Sequence, residues 1–203
     1  MPRIRAENIE AHKALTRREI LDAVHDLIAE TGSAEVSLGE VATTVGIGRT
    51  TLYEYFRDRD DLIASMVEER LPEVITEIIE RVPEHLPVED RLSMLAVGMV
   101  RFVVEDHVLG RILHRELTRL SQTAQDRILL IHTDLSKEMA SIYRQGVSEG
   151  RFRQLPMDVA GRFIQDLIMA AAKVLNNSAH PEQRFDEVAE ALGTFLVGGL
   201  SAI

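Results

Sequence analysis

The stretch Gly46-Ile47-Gly48-Arg49-Thr50-Thr51-Leu52-Tyr53-Glu54-Tyr55-Phe56 gathers hydrogen-bonding side chains at a few consecutive positions. On a helix, Arg49, Thr50 and Tyr53 stand at i, i+1 and i+4 and share the outward side, with Thr51 and Tyr55 flanking them. Leu52 and Phe56 are one turn apart and face inward together. A surface of guanidinium, hydroxyl and phenol groups suits double-stranded DNA. Arg49 can pair bidentately with guanine and Thr50 can touch a thymine methyl, while the hydroxyls of Thr51, Tyr53 and Tyr55 suit phosphate oxygens. The plainer alternative is a solvated polar helix face with half-buried tyrosines.

Such a face needs elements to hold it. Ser37-Leu38-Gly39-Glu40 reads as a capping box that opens a short helix, with Leu38, Val41, Ala42 and Val45 on its apolar side. Ser37 joins the candidate DNA-binding set. Ala42 falls where two helices cross, and a larger side chain there would hold them apart. Gly46 can take a positive φ in the turn at no steric cost. Helix, glycine turn and second short helix, over about 49 to 55, form a helix-turn-helix pattern. Before it, Thr16-Arg17-Arg18-Glu19 predicts a capped helix start, followed by Ile20, Val24, Leu27 and Ile28 at helical spacing and ended by Gly32. After it, Asp58 predicts the cap of a fourth helix starting near Arg59, with Pro72 placed to kink or offset it.

These residues carry a resemblance. The opening helix Arg17-Arg18-Glu19-Ile20-Leu21-Asp22-Ala23, the run Val36-Ser37-Leu38-Gly39-Glu40-Val41-Ala42, the stretch Gly46 to Phe56 and Arg57-Asp58-Arg59-Asp60-Asp61-Leu62 together resemble the DNA-binding domain of the TetR family of bacterial transcriptional regulators. The resemblance covers residues 16 to 66. It implies a wholly helical protein in two parts: an N-terminal arm and helix-turn-helix domain over 1–62, and an effector-binding and dimerisation domain over 63–203. It further implies that Thr51, Tyr53 and Tyr55 contact phosphate, that Arg59 stands for the family's usual lysine, and that Arg49 and Thr50 vary with the operator. The chain departs from the family pattern at Gly48, where serine is frequent, and Glu54 adds a negative charge to the recognition helix.

From residue 88 onward every segment has helical period: roughly 88 to 106, 108 to 120, 123 to 148, 156 to 176 and 182 to 201. No strand pattern and no repeat stand out. The last two segments carry wide apolar surfaces, including Phe163, Leu167 and Ala171 on one and Val188, Leu192, Phe195 and Leu196 on the other. Such breadth predicts a two-fold homodimer in which both helices pack against their copies; the alternative is the interior of a monomer. Met94, Met99, Phe102, His107, His114, His132, Met139, Tyr143, Phe163 and Met169 are the candidate lining of a small-molecule effector pocket, since methionine gives an adaptable apolar wall and histidine or tyrosine a few polar anchors. Plain core packing is the alternative for each. His107, His114 and His132 also raise a metal site, but no metal and no cofactor are expected.

Of the 203 residues, 45% are hydrophobic and none is cysteine, which excludes disulfides and thiolate chemistry. No spacing supports a catalytic triad, a phosphate loop or a zinc-protease motif, so no catalytic residue is expected. The formal charge of −10 is unevenly spread. Residues 1–18 hold five basic side chains against two acidic ones, whereas 19–62 hold three against ten. No stretch approaches the ~20 apolar residues of a membrane span, and a cytoplasmic location is expected. The sequence therefore points to a dimeric, effector-responsive repressor released from a palindromic operator by a small molecule. A helical protein-interaction module that kept the fold without useful DNA affinity is the alternative.

Overall fold

Among the described residues the α-helical stretches run in order α1 (Pro2–Thr31), α2 (Leu38–Val45), α3 (Arg49–Tyr53), α4 (Arg59–Glu80), α5 (Val88–Glu105), α6 (His107–Arg111), α7 (Gln122–Ile131), α8 (Thr133–Ser148), α9 (Met157–Asn176) and α10 (Pro181–Leu200). The computed structural model describes residues 2–131 and 133–202, with the side chains of all but 2–8 and 114. Among the described residues there is no strand; a single bridge pairs Phe152 with Ser201. None of the helices is long and apolar enough to cross a membrane.

Two compact units emerge, and neither is continuous in sequence. One comprises Met1–Arg70 with Arg111–Leu129, the other Leu71–Gly110 with Leu130–Ile203. In the first, α1 packs on α2 and α2 on α3. Its core gathers Ile20, Leu21, Val24 and Ile28 of α1, Val41 and Ala42 of α2, Leu52 and Phe56, and Leu62, Ile63, Met66 and Val67 of α4. Ile112, Leu120, Ala124 and Ile128 are buried in the same unit. In the second, α5 is central: it packs against α8, α9 and α10, and α9 packs against α10.

Three boundaries differ from those read in the sequence. Thr16 does not start a helix. It is buried within α1, which begins at Pro2. Between Arg3 and Leu15 there is neither glycine nor proline, and alanine, leucine, glutamate, lysine and arginine dominate, so helix propensity carries the helix past the Thr16 signal. The expected arm is thus helical. Second, α3 stops at Tyr53, because the Tyr55 amide bonds to Leu52 O (3.0 Å) and tightens the last turn. Third, 108 to 120 is not one helix: α6 gives way to a π-turn at Ile112–Glu116 and a 3₁₀ turn at Leu117–Arg119. By contrast, α4 runs through Pro72 as a single helix.

Candidate nucleic-acid interface

The local chemistry of the helix-turn-helix is as the sequence requires. Ser37 has extended backbone angles and its hydroxyl accepts from the Glu40 amide (3.2 Å), while Glu40 Oε2 accepts from the Ser37 amide (2.9 Å). The Ser37 amide, helped by the Ser37 hydroxyl, lowers the Glu40 carboxyl below its ordinary value. At the other end of α2, Gly46 sits at φ 76°, and its N–H and that of Ile47 close on Thr43 O and Ala42 O. Left-handed backbone of this kind costs a side-chain-bearing residue about 1–2 kcal/mol, which is the reason for glycine here. Ala42 is buried at the α2–α3 crossing, and Leu52 and Phe56 are fully buried anchors. The guanidinium of Arg17 lies 5.2 Å from the Phe56 ring centre and covers that anchor.

What this scaffold leaves outside is a shallow groove of about 460 Å³ lined by Glu35, Val36, Ser37, Leu38, Arg49, Tyr53 and Arg59. Four residues singled out by type, Ser37, Arg49, Tyr53 and Arg59, therefore meet on one concave surface. Thr50 is exposed beside them, while Thr51 and Tyr55 are half-buried. Arg49 lies over α2, its Nε and Cζ 3.8 Å from where a Cβ on Gly39 would stand. A side chain there would meet the guanidinium at ordinary contact distance. Arg59 is half-buried and donates from Nε to Ala34 O (2.9 Å), which fixes its direction, while its Nη1 pairs with Asp60 Oδ1 at 3.7 Å. Glu35, at the groove edge, and Glu54, exposed at the end of α3, temper the positive charge.

The turn into α4 is set by two carboxylates. Asp58 Oδ1 accepts from the Asp61 amide (2.8 Å), as expected of a cap, and Asp61 Oδ2 accepts from the Arg57 amide (2.9 Å). Partial burial pushes the Asp61 carboxyl upward, but the Arg57 amide and the Arg127 guanidinium outweigh it and hold it below its usual 3.8. A depressed carboxyl stabilises the fold fully above its unfolded-state value and loses that contribution as pH falls through its folded-state value. Thermal melts between about pH 6 and pH 3 are therefore expected to show stability falling on the acid side, with a shallower fall for Asp61→Asn. Identical acid-side slopes for the two proteins would contradict this assignment.

Several partners in this unit have no counterpart in sequence spacing. Arg127 of α7 reaches Asp61 and Glu68, Ser121 reaches Asp60, and Arg111 donates to Gly32 O. Bonds between residues some sixty or more positions apart leave no local pattern to read.

The other candidates fare unevenly. Among the presumed dimer residues, Phe163 and Phe195 are 60% and 71% exposed and Leu167 is half-buried. Ala171, Val188, Leu192 and Leu196 are buried within the chain itself, on α9 and α10, which pack against each other and against α5. Of the presumed pocket residues, Met94, His107 and Phe163 are exposed in the chain taken alone. Tyr143 is 2% exposed, and its hydroxyl donates to Arg153 O and accepts from the Leu155 amide, both at 2.9 Å. It pins the segment after α8 and has no free polar group to offer. Met99, Phe102, Met139 and Met169 are half-buried. The His114 side chain and His132 lie outside the described residues, so the histidine trio is not placed. No cluster of three or more metal-ligating side chains occurs among the described residues.

Comparison with known proteins matches this architecture in order. The family model for bacterial regulatory proteins of the tetR family matches residues 20–66, and the model for the tetracyclin repressor-like C-terminal domain matches residues 85–173. The fatty acid metabolism regulator protein of Bacillus subtilis is 22% identical over 136 residues, covering 67% of this chain and 70% of its own. The transcriptional repressor KstR2 of Mycolicibacterium smegmatis is 27% identical over 168 residues, covering 79% and 80%. The crystal structure of FadR from Bacillus subtilis in complex with stearoyl-CoA superposes with a TM-score of 0.75 at 21% identity, covering 90% of this chain and 98% of that one. A capped helix-turn-helix matched by the family's N-terminal model, followed by a helical region matched by its C-terminal model, places this chain in the TetR family of DNA-binding transcriptional regulators.

Proposed function

We propose that the groove around Ser37, Arg49, Tyr53 and Arg59 is the operator-reading surface of a dimeric repressor that a small apolar effector releases from DNA. The carrying observation is the groove itself, which unites hydrogen-bonding residues from α2, α3 and the start of α4 on one concave surface. In this reading Arg49 and Thr50 meet base edges, while Ser37, Thr51, Tyr53, Tyr55 and Arg59 hold phosphates. Recognition belongs to residues 1–62, and effector binding and dimerisation to 63–203. The exposed Phe163 and Phe195 on α9 and α10 support a two-fold dimer. Two recognition helices would then meet successive major grooves about 34–36 Å apart, on a palindrome. The half-buried Met99, Phe102, Met139 and Met169 are the remaining effector contacts, and the predominantly aliphatic interior of their unit favours an apolar ligand. Relatives named for fatty acid metabolism and for stearoyl-CoA binding support a fatty acyl thioester as the first class to test. A cytoplasmic location goes with this role.

The test is selection of bound fragments from random duplex DNA by the purified protein at moderate salt. Enrichment of one palindrome is expected. Arg49→Ala with Tyr53→Ala is expected to weaken binding to that palindrome by about 100-fold, since a bidentate base contact alone is worth ~1–3 kcal/mol of discrimination. Unchanged affinity in the double variant would remove α3 from the recognition role. A wild-type protein that selects nothing, with and without acyl thioesters added, would favour the interaction-module reading.

A further inference from the structure

Arg127, on α7, uses four N–H donors against three side chains of α4. Nε and Nη2 clasp the Glu68 carboxylate at 2.8 and 2.5 Å, Nη2 also reaches Ser65 Oγ at 3.0 Å, and Nη1 bonds to Asp61 Oδ1 at 2.6 Å. Glu68 and Ser65 would by themselves suffice to staple the helices together. The third arm is different, because the carboxylate it holds already has a task. The other oxygen of Asp61 accepts from the Arg57 amide, directly after Phe56, the anchor that follows the recognition helix. One carboxylate thus joins α7 to the backbone of the α3–α4 turn. The neighbouring Asp60 is held as well, accepting from the Ser121 amide at 2.7 Å just before α7 begins. Arg59, which lines the groove, stands between this turn and that pair of carboxylates.

We propose that Arg127 is a positioning residue for operator binding: through Asp61 it sets the α3–α4 turn, and so couples the placement of α7 to the orientation of the recognition helix without itself touching DNA. The inference rests on the operator-reading role of the groove. It follows from the geometry that a displacement of α7 reaches the end of the recognition segment through two consecutive charge-assisted hydrogen bonds, which are short and strongly directional. It also follows that Arg127 and Asp61 act as one unit, so that losing both is no worse than losing either.

The experiment uses the full-length protein and the duplex that the wild-type chain enriches from random DNA. Arg127→Gln, Asp61→Asn and the double variant are titrated with that duplex over a range of salt, at a temperature where circular dichroism shows each to be folded. Each single variant is expected to bind roughly tenfold more weakly, the size typical of residues that modulate coupling without contacting ligand. The double variant is expected to match the weaker single. The slope of log affinity against log salt is expected to stay at the wild-type value, since a lost phosphate contact would lower it by about one. Hydrogen exchange at the Arg57 amide is expected to quicken in Arg127→Gln. Wild-type affinity in Arg127→Gln, additive losses, a salt slope reduced by about one, or an unaltered Arg57 amide would each overturn the proposal. Should Arg127→Gln not fold, Arg127→Lys takes its place. Lysine keeps the charge but cannot span Asp61, Glu68 and Ser65 at once, so a smaller loss is expected, and no loss overturns. Failure of the groove reading is distinct, because it shows as a wild-type protein that selects no duplex.

Discussion

Phe163→Asp combined with Phe195→Asp is expected to yield a folded monomer that no longer binds its palindrome specifically. Both rings are mostly exposed, so removing them opens no cavity in the chain's own core. Their aromatic surface is large, about 150–250 Å² each when buried, and a carboxylate in its place at a two-fold contact would stand close to its own copy. Desolvating unpaired like charges costs several kcal/mol. The effect on DNA is larger still. A dimer holds two half-sites at once, whereas a monomer must hold one with roughly half the interaction. From specific affinities on the order of 10⁻⁸ M or tighter, that implies a loss of at least about a thousandfold. Sedimentation velocity checks the oligomeric state and anisotropy titration the affinity. A variant that sediments as a dimer would remove these phenylalanines from the interface.

Gly146→Ala is expected to lower stability sharply without touching any residue named for DNA or for a copy. A Cβ on Gly146 would stand 2.1 Å from Phe152 Cδ2 and 2.5 Å from Cε2, well inside contact. Phe152 has nowhere to go. It is 2% exposed, its ring stacks on Tyr143 at 6.1 Å between centres, and its amide bonds to Gly146 O at 3.0 Å. Tyr143 is in turn held at both lone pair and proton by Arg153 and Leu155. The methyl group must therefore displace a locked cluster. Overpacking of this kind costs about 1–3 kcal/mol or more, or roughly 2–4 °C of melting temperature per kcal/mol in a chain of this size. Calorimetry decides it: a melting temperature within a degree of wild type would mean that the 146–152 contact yields easily.

The helix-turn-helix was the most legible part of the chain, for a physical reason. Its determinants are local: a capping box spans four residues, a left-handed turn needs one glycine, and Leu52 with Phe56 declare the buried side of a short helix. The same locality explains the error at Thr16. A capping box is a possible helix start, but nothing in T-R-R-E shows that the preceding residues will decline to be helical, and their propensity favours helix. The irregular turns at Ile112–Glu116 and Leu117–Arg119 were invisible because their side chains keep near-helical spacing. Apolar breadth on α9 and α10 is legible in the sequence, but its division between the chain's own core and its surface is not. Periodicity tells that Leu192, Leu196 and Phe195 are apolar, yet only the packing of α5 against both helices decides that the first two are claimed internally while Phe195 is not. The Arg127 cluster shows the remaining limit, since its acceptors lie 59 and 66 residues earlier in the chain.

The discontinuity of the first compact unit bears on the order in which the protein assembles during synthesis. Residues 1–70 leave the ribosome first, but Ile112, Leu120, Ala124 and Ile128, all buried in that unit, are not yet made. Asp61 and Glu68 likewise await their cation. The segment before residue 71 must therefore remain an incomplete core until about residue 129 has been made, and by then the first part of the second unit, Leu71–Gly110, has already been made. Translation cannot finish one unit before beginning the other, and their maturation is interleaved along the growing chain.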